Sequence, residues 1–165
     1  MPARSSGETE PEMIHPEDIH HLALVAADLQ RGMEEVGEVY GVTWTTPRHL
    51  ELDVRTAGVV ARVPLSVVYA QQGPIFLELV EAVPGTVWAA TPGSQLHHIG
   101  IYVEDVEAEI ERLEGLGHAV EAAGVGADGR AGGWAYTQSP MAIRIEILDI
   151  QGREATGQWA RGEIA

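Results

Sequence analysis

The chain has 165 residues, of which 45% are hydrophobic and 21% charged, an ordinary composition for one domain or two small modules that share a core. Its formal net charge of −15, from 25 acidic and 10 basic residues, repels nucleic acids and anionic membranes, so we expect neither as a partner. No apolar run is long enough to span a bilayer and no cysteine is present, so we expect a cytoplasmic protein without disulfides.

The first half of the chain predicts a strand, a helix and three further strands. Residues 1–16 are rich in Ser, Glu and Pro and predict a disordered leader. A short apolar run starts at His21 and leads to Asp28, a typical helix N-cap, before a helix over Leu29–Tyr40 that Gly41 ends. Apolar and β-branched runs then predict strands at His49–Val54, Val59–Tyr69 and Ile75–Val80.

The second half repeats this order. Two Pro-Gly pairs in residues 83–95 predict a linker, and a second strand and helix follow it. Further strands are predicted at Ala119–Ala123, Gly133–Gln138 and Ile143–Leu148, with a Gly-rich loop over residues 124–133. The sequence therefore predicts βαβββ modules at residues 17–82 and 96–150. A polar tail at 151–165 is expected to dock either on the body of the chain or on a partner subunit.

The two halves share a local sequence pattern at a separation of 77 residues. His20–Leu29 matches His97–Val106, because in both segments a His doublet opens an apolar run and an Asp follows at the same distance. The match extends to the strand and helix that contain it, which a coincidence of a few letters would not give. The pattern therefore predicts two pseudo-symmetric modules.

One member of each doublet has to be chosen as a candidate metal ligand. Because neighbouring residues of a regular strand face opposite sides, both members cannot enter the same site. We choose His21 and His98, which directly precede the apolar runs. His20 and His97 are then expected to support these ligands from behind or to lie on the surface. A single strand-end His is more often structural than metal-binding, so the choice rests on the symmetry of the two copies.

The last strand of each half holds one acid among apolar residues, Glu78 and Glu146. Such an acid is commonly just solvated, but here the repeat offers one imidazole and one carboxylate from each half to a common point. This donor set suits one divalent ion, either Fe, Mn, Co, Ni or Zn. On an octahedral ion, two adjacent positions would stay open to chelate two neighbouring oxygens of a substrate.

These motifs resemble the vicinal oxygen chelate superfamily, which includes glyoxalase I, methylmalonyl-CoA epimerase, extradiol dioxygenases and antibiotic-resistance proteins. The resemblance covers about residues 18–150 and is carried by HLALVAADL and HHIGIYVEDV at the doublets and by LELV and IEIL around the acids. It implies an α+β fold in which two pseudo-symmetric βαβββ modules form a curled sheet around a metal cup. It also implies a homodimer and the metal ligands His21, Glu78, His98 and Glu146.

The resemblance is closer to some members than to others. The order His, Glu, His, Glu resembles bacterial glyoxalase I, whereas the doublet LHHIG and the second half resemble methylmalonyl-CoA epimerase. Glu78 departs from the epimerase pattern, which normally has Gln there. The epimerases also carry a base Glu in the first module, and the matching stretch Gly58–Val63 has no acid, with Glu51 the nearest upstream. We therefore expect another branch of the superfamily.

The function implied is that of a metal-dependent isomerase, epimerase or lyase that acts on a small carbonyl or acyl substrate. The ion would bind two substrate oxygens, acidify the C–H between them and stabilise a chelated enediolate. The base would be a carboxylate that leaves the ion, Glu78 or Glu146, or a hydroxide on the ion. Arg62 and Arg144 are candidates to hold an anionic substrate group, although a solvated or ion-paired arginine is the commoner case.

Two other functions remain open at this point. An Fe(II) dioxygenase usually has two His and one carboxylate as ligands, and a fourth protein ligand counts against it. A non-catalytic protein that sequesters a small molecule would need an aromatic groove. Four aromatic residues either line such a groove or belong to the core: Trp44, Trp88, Trp134 and Tyr136.

Overall fold

The computed structural model describes residues 15–138 and 143–165, so most of the leader predicted at 1–16 lies outside the described residues. Three helices and eight strands are present in this part of the chain. In chain order they are β1 Ile19–Ala26, α1 Leu29–Tyr40, β2 Arg48–Thr56, β3 Val59–Tyr69, β4 Phe76–Glu81, β5 Leu96–Val103, α2 Val106–Gly115, β6 Val120–Val125, β7 Ala131–Gln138, β8 Arg144–Asp149 and α3 Arg153–Ala160. Short 3₁₀ turns precede β1 and α3.

The helix starts follow from the capping residues that the sequence shows. The Asp28 carboxylate accepts a hydrogen bond from the backbone N–H of Arg31 at 2.8 Å, and Asp105 does the same for Ala108 at 3.0 Å. Gly41 ends α1 in the left-handed region at φ 66°, which glycine adopts at little cost.

The predicted Gly-rich loop over 124–133 is shorter than expected, because β6 runs to Val125 and pairs there with β7.

The eight strands form one closed barrel in the order β1-β4-β3-β2-β6-β7-β8-β5. The first four belong to one βαβββ module and the last four to the other. The modules meet at two seams, the antiparallel pair β1 and β5 and the antiparallel pair β2 and β6. The predicted α+β fold of two pseudo-symmetric modules with a curled sheet is thus confirmed.

The core fills the barrel, and α1 covers part of its outside. Leu29 of α1 packs on Val68 and Leu79, while the interior holds aromatic and β-branched side chains. Trp88 and Trp159 follow the last strand of the first and second module, respectively, and both are buried against this interior. The C-terminal segment forms α3 and packs on the body of its own chain through Trp159 and Ala160.

The four aromatic residues considered for a groove lie in or against the hydrophobic core. Trp88 and Tyr136 are fully buried, Trp134 packs against them, and Trp44 packs beneath α1 and donates to the carbonyl of Met33. No helix in the described parts of the chain is long and apolar enough to cross a membrane.

Candidate metal centre

Both His doublets lie at irregularities of the seam between β1 and β5. Along this pair the partners step from Ile19–Ile101 to His21–Gly100, which leaves His20 as an extra residue on β1. They step again from Ala23–His98 to Leu24–Leu96, which leaves His97 as an extra residue on β5. Each doublet therefore contains a β-bulge, where two residues of one strand face one residue of its neighbour and the regular alternation is interrupted.

The bulges correct the expectation that the two members of a doublet face opposite sides. Nδ1 of His20 lies 2.9 Å from Nδ1 of His21, and the same atoms of His97 and His98 are 2.7 Å apart. Such contacts between ring nitrogens require both rings on the same side of the strand. All four imidazoles are buried, so neither His20 nor His97 is a surface residue.

The four residues chosen from the sequence come together inside the barrel. Nε2 of His21 and Nε2 of His98 are 2.8 Å apart. Oε2 of Glu146 lies 3.0 Å from His21 Nε2 and 3.3 Å from His98 Nε2. Oε2 of Glu78 lies 3.6 Å and 3.2 Å from the same two atoms. Two nitrogens and two oxygens, two from each module, therefore face a common point.

The donor set fits a divalent metal ion. Metal–ligand bonds of about 2.1 Å place neighbouring ligand atoms about 3.0–3.4 Å apart in octahedral or tetrahedral geometry, close to the separations found here. The ligand atoms of His21, His98 and Glu146 all lie within 4.8 Å of one another. Glu78 does not belong to this group of three, but its Oε2 contacts both imidazoles of the group.

The charges of the cluster also suit a cation. Burial would raise the pKa of both carboxylates, but the facing imidazoles of His21 and His98 outweigh burial and lower the pKa of Glu78 and of Glu146. Burial would lower the pKa of His98, but Glu146 and Glu78 raise it to about 9. Two buried carboxylates are thus held ionised at neutral pH, and a divalent ion would replace the protons that balance them.

The outer imidazoles control the protonation of the inner ones. Nε2 of His97 lies 2.8 Å from the carbonyl oxygen of Val87, which can only accept, so His97 carries its proton on Nε2. Its Nδ1 therefore accepts from Nδ1–H of His98, so Nε2 of His98 is the nitrogen that a metal would bind in place of a proton. Burial, and then the charge of the inner imidazole, lower the pKa of both His20 and His97 to about 4. Both outer rings are therefore neutral.

The environment of His20 differs from that of His97 in one respect. Nε2 of His20 has no hydrogen-bond partner among the described residues, whereas Nε2 of His97 has the carbonyl of Val87. Its ring packs against Tyr69, Phe76 and Tyr102, with ring centroids 5.2–5.5 Å apart.

Three residues on neighbouring strands shape the space around the ligands. Each ligand glutamate pairs with a buried tyrosine on the adjacent strand, Glu78 with Tyr69 and Glu146 with Tyr136. Gly100 faces His21 across the seam, and a methyl group added there would overlap the imidazole. The sequence did not single out Gly100, although a glycine inside an apolar strand is a known sign of close approach by another group.

The other polar residues considered from the sequence do not reach the cluster. Arg62 is exposed and forms an ion pair with Asp53 at 3.2 Å and with Glu51 at 3.7 Å. Arg144 forms an ion pair with Glu121. Glu51 is itself exposed on β2, so it supplies no base to the barrel interior.

A family model described as the glyoxalase/bleomycin resistance protein/dioxygenase superfamily matches residues 20–137. No curated protein sequence matches the chain. Among solved structures, a methylmalonyl-CoA epimerase in complex with methylmalonyl-CoA and NH4+ is similar at 18% identity over 80% of this chain and 93% of its own, with a TM-score of 0.54. A Streptomyces coelicolor methylmalonyl-CoA epimerase variant in complex with 2-nitronate-propionyl-CoA is 18% identical over 80% of this chain and 96% of its own, with a TM-score of 0.54. The Mycobacterium tuberculosis epimerase is 14% identical over 80% of this chain and 87% of its own, with a TM-score of 0.52. At these identities the likeness is one of fold.

Proposed function

Since the chain belongs to the glyoxalase/bleomycin resistance protein/dioxygenase superfamily, we propose that it is a divalent-metal-dependent isomerase, epimerase or lyase of small carbonyl or acyl compounds. The observation that carries the proposal is the buried convergence of His21, Glu78, His98 and Glu146 on one point. The fold alone would not support it, because one fold hosts many activities.

The chemistry requires a way to remove a proton next to a carbonyl group. A divalent ion held by the four residues would polarise the carbonyl and stabilise the negative charge that develops on its oxygen. Nδ1 of each inner imidazole contacts Nδ1 of an outer imidazole, which orients the ring so that its Nε2 faces the centre. The surrounding tyrosines and tryptophans keep bulk water away from the reacting atoms.

We assign the base to Glu78 and a purely binding role to Glu146. Oε2 of Glu146 lies 3.0 and 3.3 Å from Nε2 of His21 and His98, whereas Oε2 of Glu78 lies 3.6 and 3.2 Å from them, so Glu78 is the carboxylate less evenly held between the two imidazoles. A carboxylate that is less firmly bound can move toward the substrate and accept its proton at lower cost. The side chain of Glu78 is only 8% exposed, so such a movement would take place inside the barrel.

The similar structures narrow the range of candidate substrates to a chemical class, although not to a single compound. The similar structures contain methylmalonyl-CoA and 2-nitronate-propionyl-CoA, so an acyl thioester with an acidic C–H is one candidate class. Glu51 is exposed and paired with Arg62, so it does not add a second base to Glu78 inside the barrel. A single base suits the transfer of a proton between neighbouring carbons on one face, as in an isomerase, or the loss of a proton in a lyase, whereas an epimerase has to return the proton to the opposite face.

Metal content and isotope exchange test the proposal together. The purified protein is analysed for metals without chelators, and acyl-CoA and hydroxy-ketone compounds are incubated with it in D₂O. We expect about one divalent ion per chain and metal-dependent incorporation of deuterium next to a carbonyl. Absence of exchange with every compound, although the metal is bound, would contradict the proposed chemistry.

Two glutamine variants separate the roles of the carboxylates. Glu78→Gln should keep most of the metal, because an amide oxygen still binds, and should lose exchange by about a hundredfold or more, since the base is gone. Glu146→Gln should lose metal affinity first, because a neutral amide is a poorer ligand. Glu38→Gln, at an exposed position of α1, is the matched control and should change neither.

A second function is favoured by one observation. The tight group of two imidazoles and one carboxylate, His21, His98 and Glu146, is the ligand set typical of Fe(II) oxygenases. Reconstitution with Fe(II) under anaerobic conditions, followed by measurement of oxygen uptake with catechols, would separate this function from enolisation.

A further inference from the structure

A cavity of about 760 Å³ lies at one end of the barrel, beside α3. Its walls include the apolar side chains of Ile19, Ile75 and Phe76, and on the opposite side residues of the C-terminal segment. This volume is in the range of small-molecule binding sites and far exceeds the space of one water molecule. Neither the metal centre nor the proposed reaction accounts for it.

Two buried polar side chains that line this cavity lack hydrogen-bond partners among the described residues. They are His20, unpartnered at Nε2, and Tyr102, unpartnered at its hydroxyl. Both residues are more than nine-tenths buried, with exposed fractions of 7% and 6%. Thr156 is near the Tyr102 hydroxyl, but its position does not complete a hydrogen bond. Buried polar groups of this kind are costly unless a ligand or solvent satisfies them.

The repeat shows which kind of group His20 requires. His97, its counterpart in the other module, donates from Nε2 to a carbonyl oxygen of the linker, that of Val87. If His20 has the same tautomer, with Nδ1 accepting from His21, it also offers an N–H at Nε2. At His20 no described residue supplies an oxygen to Nε2, and the residue borders the cavity instead. The missing partner is therefore an acceptor oxygen.

A positive charge lies at the same cavity. The guanidinium of Arg153 sits over the ring of Tyr102 at 5.5 Å and donates to the backbone carbonyl of Glu17 at 2.7 Å. Within the described residues no carboxylate lies at ion-pair distance from it, whereas Arg161, which also lines the cavity, is paired with Glu163. The cavity thus holds one charged donor that no described carboxylate neutralises, Arg153, beside the two unpartnered groups of His20 and Tyr102.

We propose that this cavity is a binding site for a small carboxylate with an apolar body, whose oxygens contact His20 Nε2, the Tyr102 hydroxyl and Arg153. The acidic side chains of Glu17 and Glu154 also line the cavity and disfavour a multiply charged phosphate. The apolar walls accommodate the hydrocarbon part of the molecule. The site does not depend on a metal ion, because none of the three contacts is a proposed ligand.

Calorimetric titration with hexanoate tests the proposal, with hexanamide as the uncharged comparison. Both compounds are titrated into the full chain, once loaded with Zn²⁺ and once after removal of metals by a chelator. We expect hexanoate to bind in both states and at least about tenfold more tightly than hexanamide, because charged hydrogen bonds are the stronger ones. Equal affinities of the two compounds, or no binding of hexanoate, would overturn the proposal.

Three variants locate the binding. Arg153→Gln, at an exposed position, removes the charged donor and should weaken hexanoate binding about tenfold or more. Tyr102→Phe removes only the hydroxyl and should weaken it severalfold, whereas Arg161→Gln, at the paired arginine of the same cavity, should change it little.

One alternative for the carboxylate is direct binding to the metal ion. In that case hexanoate would bind only the metal-loaded protein and Arg153→Gln would have no effect, which would refute the cavity as its site. Because the chelator-treated protein is also titrated, the result does not depend on whether the proposed enolisation is found.

Discussion

The two halves of the chain match closely at the centre of the barrel and differ in the segments that cover it. Each half supplies one bulged His doublet, one glutamate and one tyrosine beside that glutamate. The covering segments are the linker with Trp88 on one side and α3 with Trp159 on the other. Within the described parts of the chain, only the linker provides a carbonyl oxygen for an outer imidazole, that of Val87 for His97.

The difference shows where symmetry is physically required. Four donors can reach a common point only if both halves keep the same strand register and the same bulges, so the centre tolerates little divergence. The covering segments face no such shared constraint, since none of the four residues of the centre belongs to them. The half with the less complete cover, around His20, is therefore the one with room for a second ligand.

The largest expected effect comes from removing one inner imidazole. His21→Ala and His98→Ala should each lower metal affinity by more than about a hundredfold, since loss of a direct ligand exceeds the loss of a supporting group. The two variants should be affected to a similar extent if the halves are equivalent at the centre. Metal affinity is measured by competition with a chromophoric chelator, with His49→Ala, an exposed histidine, as the control.

Gly100→Ala should have the next largest effect. The added methyl group would overlap the imidazole of His21 and force it off the centre, which should lower metal affinity by about 10–100-fold and destabilise the fold by about 1–3 kcal/mol. Gly115→Ala is a matched control, because nothing lies within 4 Å of a methyl group added there. Equal behaviour of the two variants in chelator competition and thermal unfolding would argue against close packing at His21.

The outer imidazoles sharpen the comparison between the halves. His20→Phe and His97→Phe should both lower metal affinity by about tenfold, because each removes the acceptor that orients an inner imidazole. His97→Phe should cost about 1–2 kcal/mol more in the free energy of unfolding, since it leaves the carbonyl of Val87 without its partner. Urea unfolding of the two variants side by side measures the difference. If His20→Phe lowers the free energy of unfolding as much as His97→Phe or more, the hydrogen bond between His97 and Val87 does not distinguish the two halves.

The smallest expected effect lies outside the centre altogether. Arg62→Gln removes an exposed ion pair with Asp53 and should change the free energy of unfolding by no more than about 0.5 kcal/mol. It should leave metal affinity and deuterium exchange unchanged. A marked loss of exchange in this variant would return Arg62 to the role of substrate anchor that its sequence position first indicated.

Much of the fold was accessible from the sequence because the local signals agree. Asp28 and Gly41 bound α1 as predicted, and β3 spans the predicted residues Val59–Tyr69. These elements depend on capping and on local hydrophobic pattern. The closure of the barrel was less accessible, because the pairing of β2 with β6 joins segments far apart in the chain and leaves no local signal.

The candidate site shows the same limit more sharply. The pairing of His21 with His98 and of Glu78 with Glu146 follows from the repeat, and the structure brings these side chains together. The position of His20 could not be derived from strand alternation, because a bulge breaks that rule and depends on the register of the partner strand. The sequence also left open whether the tail docks on its own chain or on a partner, and the short polar segment around Trp159 shows only a weak helical pattern.

Anomalous diffraction from crystals loaded with Zn²⁺ tests the central claim most directly. A single strong peak is expected at about 2.1 Å from Nε2 of both His21 and His98, with carboxylate oxygens of Glu146 and Glu78 completing the contacts. A peak elsewhere, or none at saturating Zn²⁺, would contradict the account.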